Sequence, residues 1–246
     1  MRLPESLFVT RTMQALEVLA FAPLSAPEMA QTLAIHPRTA RRLLNRLWEE
    51  GYLTRTDDAR RLYAPSMRIV ALAGQIVERA PLTRIAAPFV ERLHERTGAA
   101  AHLTVASYLN ALCLVHSANG DCSARPQLRE LVPAHCTASG KALLAFRAPW
   151  RDSVLSAPLT RYTAKTVTDP QRLREEVEQV RARGYAHEDG EYQEGVRGFA
   201  APVLAPSGEA VAALGVAVRG EPEGDLAPAV VALAAEASAA LGADRG

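Results

Sequence analysis

Four arginines lie within nine residues, from Arg38 to Arg46, in the segment HPRTARRLLNRLWEE that begins at His36. Guanidinium groups form bidentate hydrogen bonds with phosphate and with the O6 and N7 atoms of guanine, so this density of arginine favours contact with a polyanion. The alternative is a solvated helix face without a ligand. At about 100° per residue, Arg38 and Arg42 fall opposite the apolar positions, which indicates a helix with one buried side and one basic side. Those apolar positions are Ala40, Leu43, Leu44 and Leu47.

The basic side of this predicted helix suits the major groove of DNA. Residues at the start of such a helix do most of the base reading, which points to Arg38, Thr39 and Arg42. An asparagine amide can pair with adenine, while neighbouring arginines hold phosphates. The predicted DNA-binding residues are Ser25, Arg38, Thr39, Arg41, Arg42, Asn45, Arg46, Arg55, Arg60 and Arg61.

Two further helices are predicted ahead of the arginine-rich one. Amphipathic spacing indicates a first helix, with apolar residues at Met13, Leu16, Leu19 and Ala20. Ser25 and Glu28 have the spacing of a capping box at the start of a second helix. Pro37 suits the first turn of the third helix, and Gly51 suits the position just after its end. Three short helices with a tight connection between the second and third predict a helix-turn-helix.

The segment YLTRTDDARRLYA, which follows Gly51, alternates loosely and turns at DDA. It predicts a two-stranded wing whose arginines Arg55, Arg60 and Arg61 contact the DNA backbone or minor groove. Solvated hairpin charges are the alternative. A connecting helix is predicted next, over residues 66–80, and its apolar positions suit either a partner subunit or its own domain. Those positions are Ile69, Leu72 and Ile76.

Helices and strands are mixed after Pro81. The pattern predicts a helix ending at Gly98, two strands joined at SYLN, and a helix from Asp169 to Gly184. A short strand YAHED, a hairpin turned at PSG and an alanine-rich final helix follow. Hairpins interleaved with helices predict an α+β domain with an antiparallel sheet. The predicted domains are a winged helix-turn-helix at 1–65, the connecting helix at 66–80 and a sensor domain at 81–246.

The bulk composition is that of an ordinary globular protein, with 48% hydrophobic and 22% charged residues. No apolar run is long enough to span a membrane, and the N-terminal segment lacks a secretory pattern. Three cysteines, Cys113, Cys122 and Cys136, are too few for a disulfide scaffold. We therefore expect a reduced cytoplasmic protein. The net charge of +1 conceals a basic first part, since residues 1–80 hold 11 arginines and eight acidic residues.

Three segments resemble the signature blocks of the IclR family of bacterial transcriptional regulators. They are PAHCTASGKALLA (133–145), RGYAHEDGEYQEGVRGFAAPV (183–203) and GEAVAALGVAV (208–218). The segment TARRLL is also similar to that family's recognition helix. The resemblance implies a winged helix joined to a GAF-like effector domain, a homodimer or homotetramer, and a partly palindromic operator. It implies a regulator of a metabolic operon, expected to be a repressor with activation as the alternative.

The resemblance also implies an effector pocket. Backbone amides before the GK helix would hold a small acid, and an acidic residue of the second block would face it. The implied residues are Ala138, Ser139, Glu188, Gly198, Gly215 and Ala217. Members of the family that bind small acids tend to have Cys or Ser at the last three positions. Since this chain has no polar side chain there, we expect an enlarged cavity and an aromatic carboxylate, or one larger than a two-carbon acid.

Nucleotide binding, catalysis, metal binding and redox activity are the alternatives to regulation. Lys141 in ASGKA does not form a phosphate-binding loop, because His135 and Ala142 occupy positions that need Gly and Ser or Thr. Nothing fixes a base beside Ser139 or Cys136, so no catalytic residue, cofactor or metal is predicted. A metal site near His135, Cys136 and His187, and redox activity of Cys113 and Cys122, stay open as alternatives. So does a metabolite-sensing module whose winged helix contacts a protein.

Overall fold

The computed structural model divides into two compact units, Met1–Arg79 and Ala80–Gly246. It describes residues 5–57, 61–79, 81–117, 130–222 and 224–243. None of the helices in these ranges combines the length and apolar character needed to cross a membrane. The connecting helix is grouped with the first unit, whereas the sequence pattern set it apart at 66–80.

The first unit is a winged helix-turn-helix followed by one more helix. Leu53 pairs with Pro65 at the base of the antiparallel wing, and a bulge lies between Arg55 and Asp57. The wing is also bridged to the helix-turn-helix, because Leu24 pairs with Tyr63. The elements are α1 (Glu5–Leu19), α2 (Ala26–Thr32), α3 (Pro37–Glu49), β1 (Leu53–Asp57), β2 (Leu62–Pro65) and α4 (Met67–Arg79).

Local sequence signals set the ends of these helices. Ser25 caps α2, with its hydroxyl accepting from the Glu28 amide while the Glu28 carboxylate accepts from the Ser25 amide at 2.7 Å. The predicted capping box is therefore confirmed. Pro37 is the first residue of α3, and Gly51, just past its end, has a φ of +78° that glycine adopts readily.

The core of the first unit confirms the predicted stripe on α3 and corrects the one on α1. All four predicted α3 positions are buried against α1, α2 and the wing. On α1, Ala15 and Leu19 face the core, one helical turn apart. Met13 and Ala20 were predicted to belong to that stripe but are exposed, because they lie off the line that joins Ala15 to Leu19.

The second unit has a six-stranded antiparallel sheet with the strand order β5-β4-β3-β8-β7-β6. Its α+β class was predicted from the pattern of hairpins and helices and is confirmed. The short strand β5 and the helix α7 were not predicted. The elements are α5 (Pro81–Thr97), β3 (Ala100–Ser107), β4 (Asn110–Ser117), β5 (Leu131–Pro133), α6 (Ala138–Phe146), α7 (Ala148–Leu155), α8 (Pro170–Arg183), β6 (Ala186–Asp189), β7 (Val196–Leu204), β8 (Ala210–Arg219) and α9 (Ala227–Ala243).

Each face of this sheet carries its own hydrophobic core. One face packs against α5 and α9 through residues such as Leu103, Leu214 and Val216. The other face packs against α6, α7 and α8 and is lined by small residues, including Ala200 and Ala213. Small side chains let a helix approach the strands closely, so α6 lies directly over the central strands.

Candidate functional site

The α3 arginines form the first candidate site. Arg38, Arg41 and Arg42, which we call the arginine face, are exposed on the side of α3 opposite its buried stripe. In the described part of the chain, no carboxylate forms an ion pair with any of the three. The Arg42 guanidinium lies 6.0 Å from the centre of the Phe8 ring. These guanidinium groups therefore keep their donors available for an anionic partner.

Arg46 differs from the arginine face because it has intramolecular partners. Its guanidinium lies 2.7 Å from Glu50 and 3.6 Å from Glu49, in pairs that are exposed to solvent. Exposed pairs of this kind contribute little free energy, so phosphate can replace them. Asn45 is half-buried and accepts a hydrogen bond from Tyr63 through Oδ1.

One arginine of the wing, Arg55, stacks on aromatic rings. The Arg55 guanidinium lies 4.1 Å from the centre of the Trp48 ring and 5.5 Å from that of Tyr63. Arg61 is exposed in the turn and has a φ of +51°. Arg60, which was also predicted to bind DNA, lies outside the described residues. The stacking on Trp48 and Tyr63 was not anticipated from the sequence.

Two more predicted DNA contacts have local roles. The Ser25 hydroxyl lies 2.6 Å from the Glu28 carboxylate as part of the capping box. Thr39 is half-buried near the start of α3. The amides of both residues are already bonded, Ser25 to the Glu28 carboxylate and Thr39 to the His36 carbonyl, so contact with phosphate would use their hydroxyls.

The second candidate site lies at the N-terminus of α6, in the second unit. Thr137 caps the helix by accepting from the Gly140 amide. The first amides of a helix have no intrahelical partner, so those of Ala138 and Ser139 provide a site for negative charge. Ala138 and Ser139 are both buried between α6 and the sheet.

The sheet register brings the predicted effector residues together. Glu188 pairs with Gly198, which pairs in turn with Ala217. A side chain added at Gly198 would place its Cβ 3.2 Å from the Ala138 Cβ. Gly215 lies two residues before Ala217 on β8, and both positions are on the same face of the sheet. We call this group of residues, with Ser139, the α6 site.

His102 is a member of the α6 site that the sequence did not reveal. It pairs with Gly215 across β3 and β8, and its Nε2 lies 2.8 Å from the Ser139 hydroxyl. A Cβ at Gly215 would lie 3.0 Å from that same Nε2. The expectation of an enlarged cavity is therefore wrong at this position, because the imidazole fills the space that the missing side chain leaves. Thr104, also on β3, has a buried hydroxyl without a partner among the described residues.

Burial shifts the pKa of two side chains in the α6 site, His102 and Glu188. Desolvation, helped by the nearby His116, lowers the pKa of His102 to about 4, so its imidazole is neutral at physiological pH. Desolvation raises the pKa of Glu188 to about 7, although its carboxylate accepts from the Glu191 amide at 3.0 Å. Near neutral pH, Glu188 can therefore donate a hydrogen bond through its protonated form.

The expectation that no base lies beside Ser139 is wrong, because the strand register brings the neutral His102 imidazole within hydrogen-bond distance of its hydroxyl. The other polar residues near the α6 site form no metal centre in the described ranges. No group of three or more metal-binding side chains occurs there. His135 Nε2 is bonded to the Thr160 carbonyl at 2.9 Å, and the His187 ring packs 4.7 Å from that of Phe199. Cys113 and Cys136 are buried, and burial raises the pKa of the Cys136 thiol. Cys122 lies outside the described residues.

Known proteins share both the sequence and the fold. The family model described as bacterial transcriptional regulator IclR C-terminal matches residues 74–235. The glycerol operon regulatory protein of Streptomyces griseus is 31% identical over 230 residues, which cover 90% of each chain. An IclR-type regulator from Silicibacter sp. TM1040 matches 96% of both chains with a TM-score of 0.83 and 26% identity. An IclR homologue from Microbacterium hydrocarbonoxydans, crystallised with 4-hydroxybenzoate, covers 96% of this chain and 98% of its own, with a TM-score of 0.73 and 26% identity.

The family model covers mainly the second unit, whereas the Streptomyces griseus relative and the Silicibacter structure match over both units of the chain. Other relatives are named as HTH-type transcriptional regulators, and their names describe regulators rather than enzymes. The chain belongs to the IclR family of DNA-binding bacterial transcriptional regulators.

Proposed function

We propose that this protein controls a metabolic operon by binding a partly palindromic operator as a homodimer or homotetramer. The observation that carries the proposal is the arginine face, three exposed guanidinium groups opposite a buried leucine stripe. With α3 in the major groove, Arg38 and Arg42 read bases, and Arg41 and Arg46 hold phosphates. The wing adds Arg55, Arg60 and Arg61 along the backbone or minor groove.

The effector is proposed to be a small carboxylate bound at the α6 site. The amides at the start of α6 attract its negative charge, and protonated Glu188 donates to one of its oxygens. The Microbacterium homologue crystallised with 4-hydroxybenzoate makes an aromatic acid a reasonable first probe. His102 narrows the space beside Gly215, and its imidazole is already bonded to the Ser139 hydroxyl on α6. A carboxylate that reaches the Ser139 hydroxyl must therefore replace that hydrogen bond.

The regulation is proposed to be repression relieved by a population shift. Two winged helices must lie about 34 Å apart to enter successive major grooves. An effector can change that spacing only if it binds one arrangement of the subunits more tightly than the other. Adding 4-hydroxybenzoate and related carboxylates to the protein–operator complex tests this step. Release of DNA supports repression, and tighter binding indicates an activator.

Arg42→Ala is expected to weaken binding to the protein's own upstream DNA by about 1–3 kcal/mol, because it removes a base-reading side chain. The measurement is fluorescence anisotropy at fixed salt. Arg174→Ala is the matched control, since it removes the same charge from an exposed position on α8. Equal affinities for Arg42→Ala and the unmodified protein would show that Arg42 does not contact the DNA.

The salt dependence distinguishes this proposal from a winged helix that binds a protein. Contact with several phosphates makes the affinity fall steeply as salt rises, because counterions are released on binding. A protein-contact surface responds much less. Failure to bind any fragment of the upstream DNA at low salt would favour the protein-contact alternative.

Glu188→Gln is expected to leave stability nearly unchanged near pH 4 and to raise it by about 3 kcal/mol at pH 8. The pKa of Glu188 is about 7 in the folded protein and lower in the unfolded chain, so the native state binds the extra proton between these values. Wild-type stability therefore falls as pH rises from about 4.5 to 7, and glutamine removes that fall. Urea unfolding at several pH values measures it.

Asp189→Asn is the control for this titration. Hydrogen bonds from Lys165 and Arg197 lower the pKa of Asp189 to about 2, which is opposite in direction to the change at Glu188. This variant should not flatten the loss of stability between pH 5 and 8. If Glu188→Gln kept the wild-type pH dependence, the Glu188 carboxyl would be ionised throughout that range.

A further inference from the structure

Tyr63 connects three parts of the first unit. Its hydroxyl lies 2.6 Å from Asn45 Oδ1 on α3. Its backbone forms two hydrogen bonds with Leu24, of 2.9 and 3.1 Å, just ahead of α2. Its ring lies 5.5 Å from the Arg55 guanidinium on the wing. The side chain is only 3% exposed, so these contacts hold it in one position.

The bond to Tyr63 fixes the orientation of the Asn45 amide. A separation of 2.6 Å suits an O–H···O bond, whereas an N–H···O bond is normally about 2.9–3.0 Å long. The phenol therefore donates to Oδ1, which turns the Asn45 amide nitrogen away from Tyr63. Because Asn45 is half-buried at the edge of the arginine face, that nitrogen is the part of the amide left for DNA.

Adenine and guanine present different hydrogen-bonding groups to such an amide. Adenine presents the N7 acceptor and the N6 donor, so bidentate pairing needs the amide nitrogen and Oδ1 to face the same base edge. Oδ1 has a second lone pair, but the bond to the buried Tyr63 hydroxyl directs it away from that edge. Guanine presents two acceptors, O6 and N7, which match an amide that offers N–H donors only. An asparagine whose oxygen is directed at a buried hydroxyl is therefore better suited to guanine than to adenine.

We propose that Tyr63 is a positioning residue that makes Asn45 a donor-only reader of guanine. The inference rests on the proposed entry of α3 into the major groove and adds a base preference to it. Tyr63 does not touch the DNA. Its hydroxyl acts through Asn45, and its ring supports Arg55 on the same side of the wing.

Tyr63→Phe isolates the hydroxyl, because the ring and the backbone bonds to Leu24 are retained. The experiment is selection of bound duplexes from a random-sequence library by the full-length protein, followed by sequencing. Wild type is expected to prefer guanine over adenine at one base pair of each half-site by about fivefold or more. Tyr63→Phe should reduce that preference by about threefold to tenfold, because the freed Oδ1 can then accept from adenine N6.

Two other variants complete the test. Asn45→Asp keeps an oxygen for Tyr63 but lacks the amide donors, so it should lose the guanine preference at the same base pair. Adding Tyr63→Phe to Asn45→Asp should cause no further change there. Tyr52→Phe is the matched control, because that ring packs 4.6 Å from the Arg68 guanidinium and not against Asn45. It should leave the selected sequences unchanged.

A structural role alone would give a different result. If Tyr63→Phe weakened all sequences equally and kept the guanine preference, the hydroxyl would only stabilise the fold, and the inference would be overturned. An unchanged profile for Asn45→Asp would also overturn it, while a loss of affinity in Arg42→Ala would still support the proposed function. If wild type selected no sequence and Arg42→Ala changed nothing, both would fail.

Discussion

Gly140→Ala is expected to destabilise the second unit by about 4 kcal/mol or more, which is a rare loss for the addition of one methyl group. The new Cβ would lie 2.5 Å from the Ala134 Cα and 2.6 Å from its carbonyl carbon, and closer still to the carbonyl oxygen. Because these are backbone atoms, no side chain can rotate away to make room. Chemical unfolding followed by circular dichroism measures the loss.

Gly242→Ala is the matched control in the same unit. Gly242 is also helical, but its added Cβ would meet only Pro206, at an ordinary distance of 3.9 Å. Alanine has the higher helix propensity, so this variant should be neutral or more stable by up to about 1 kcal/mol. Equal stability of Gly140→Ala and wild type would mean that α6 can move away from Ala134 at little cost.

The close approach at Gly140 also shapes the proposed effector site. Thr137 caps α6 and donates to the Pro133 carbonyl at 2.7 Å, which anchors the start of the helix beside β5. A larger residue at Gly140 would push this end of α6 outward and carry the amides of Ala138 and Ser139 with it. A partly folded Gly140→Ala protein should therefore respond to carboxylates more weakly than its residual stability alone would explain.

The buried stripe of α3 and the arginine face opposite it could be predicted because their signals are local. The apolar period of α3 fixed which residues are buried, and Pro37 and Gly51 marked its ends. Each of these signals acts within a few residues, so no knowledge of tertiary structure was needed. The error at Met13 on α1 has the opposite cause, because a helix with apolar residues on more than one side is oriented by its tertiary contacts.

The α6 site was only partly accessible to sequence reasoning. His102 reaches Ser139 across 37 positions of the chain, and that contact depends on the register of β3 against β8. A bulge between Leu103 and Thr104 changes how β3 aligns with β4, and nothing in the sequence marks it. The bond from Tyr63 to Asn45 was missed for the same reason, since it joins two elements that come together only in the folded unit.

Lys141 connects three elements of the second unit through a buried ammonium. Its side chain is 2% exposed, and Nζ lies 2.8 Å from Glu176 on α8 and 2.6 Å from Glu191 after β6. Glu191 is itself only 12% exposed. The sequence argument that Lys141 does not serve a phosphate loop agrees with this geometry, because all of its bonding is directed at the chain's own carboxylates.

Lys141→Met is expected to lower the stability of the second unit by about 3–5 kcal/mol at pH 8, because it leaves the mostly buried Glu191 carboxylate without its paired cation, while Glu176 keeps Arg172 at 3.6 Å. Methionine has a similar length, so the loss comes from charge rather than from a cavity. Desolvation already raises the pKa of Glu191 in the presence of Lys141, and removing the ammonium raises it further. The loss should therefore be smaller near pH 5, where the carboxyl can take up a proton. Unfolding in urea at both pH values measures the difference.

Combining Lys141→Met with Glu176→Gln and Glu191→Gln should restore most of the lost stability, since replacing all members of a buried ionic group is often nearly neutral. The extent of the recovery distinguishes two explanations for the loss of stability in Lys141→Met, charge neutralisation and orientation of α6. If the ammonium acts only to neutralise charge, the triple variant folds well and loses the pH dependence that Lys141→Met adds, while the contribution of Glu188 remains. If the triple variant stays as unstable as Lys141→Met, the ion pairs themselves orient α6 against α8, and the position of the α6 site depends on them.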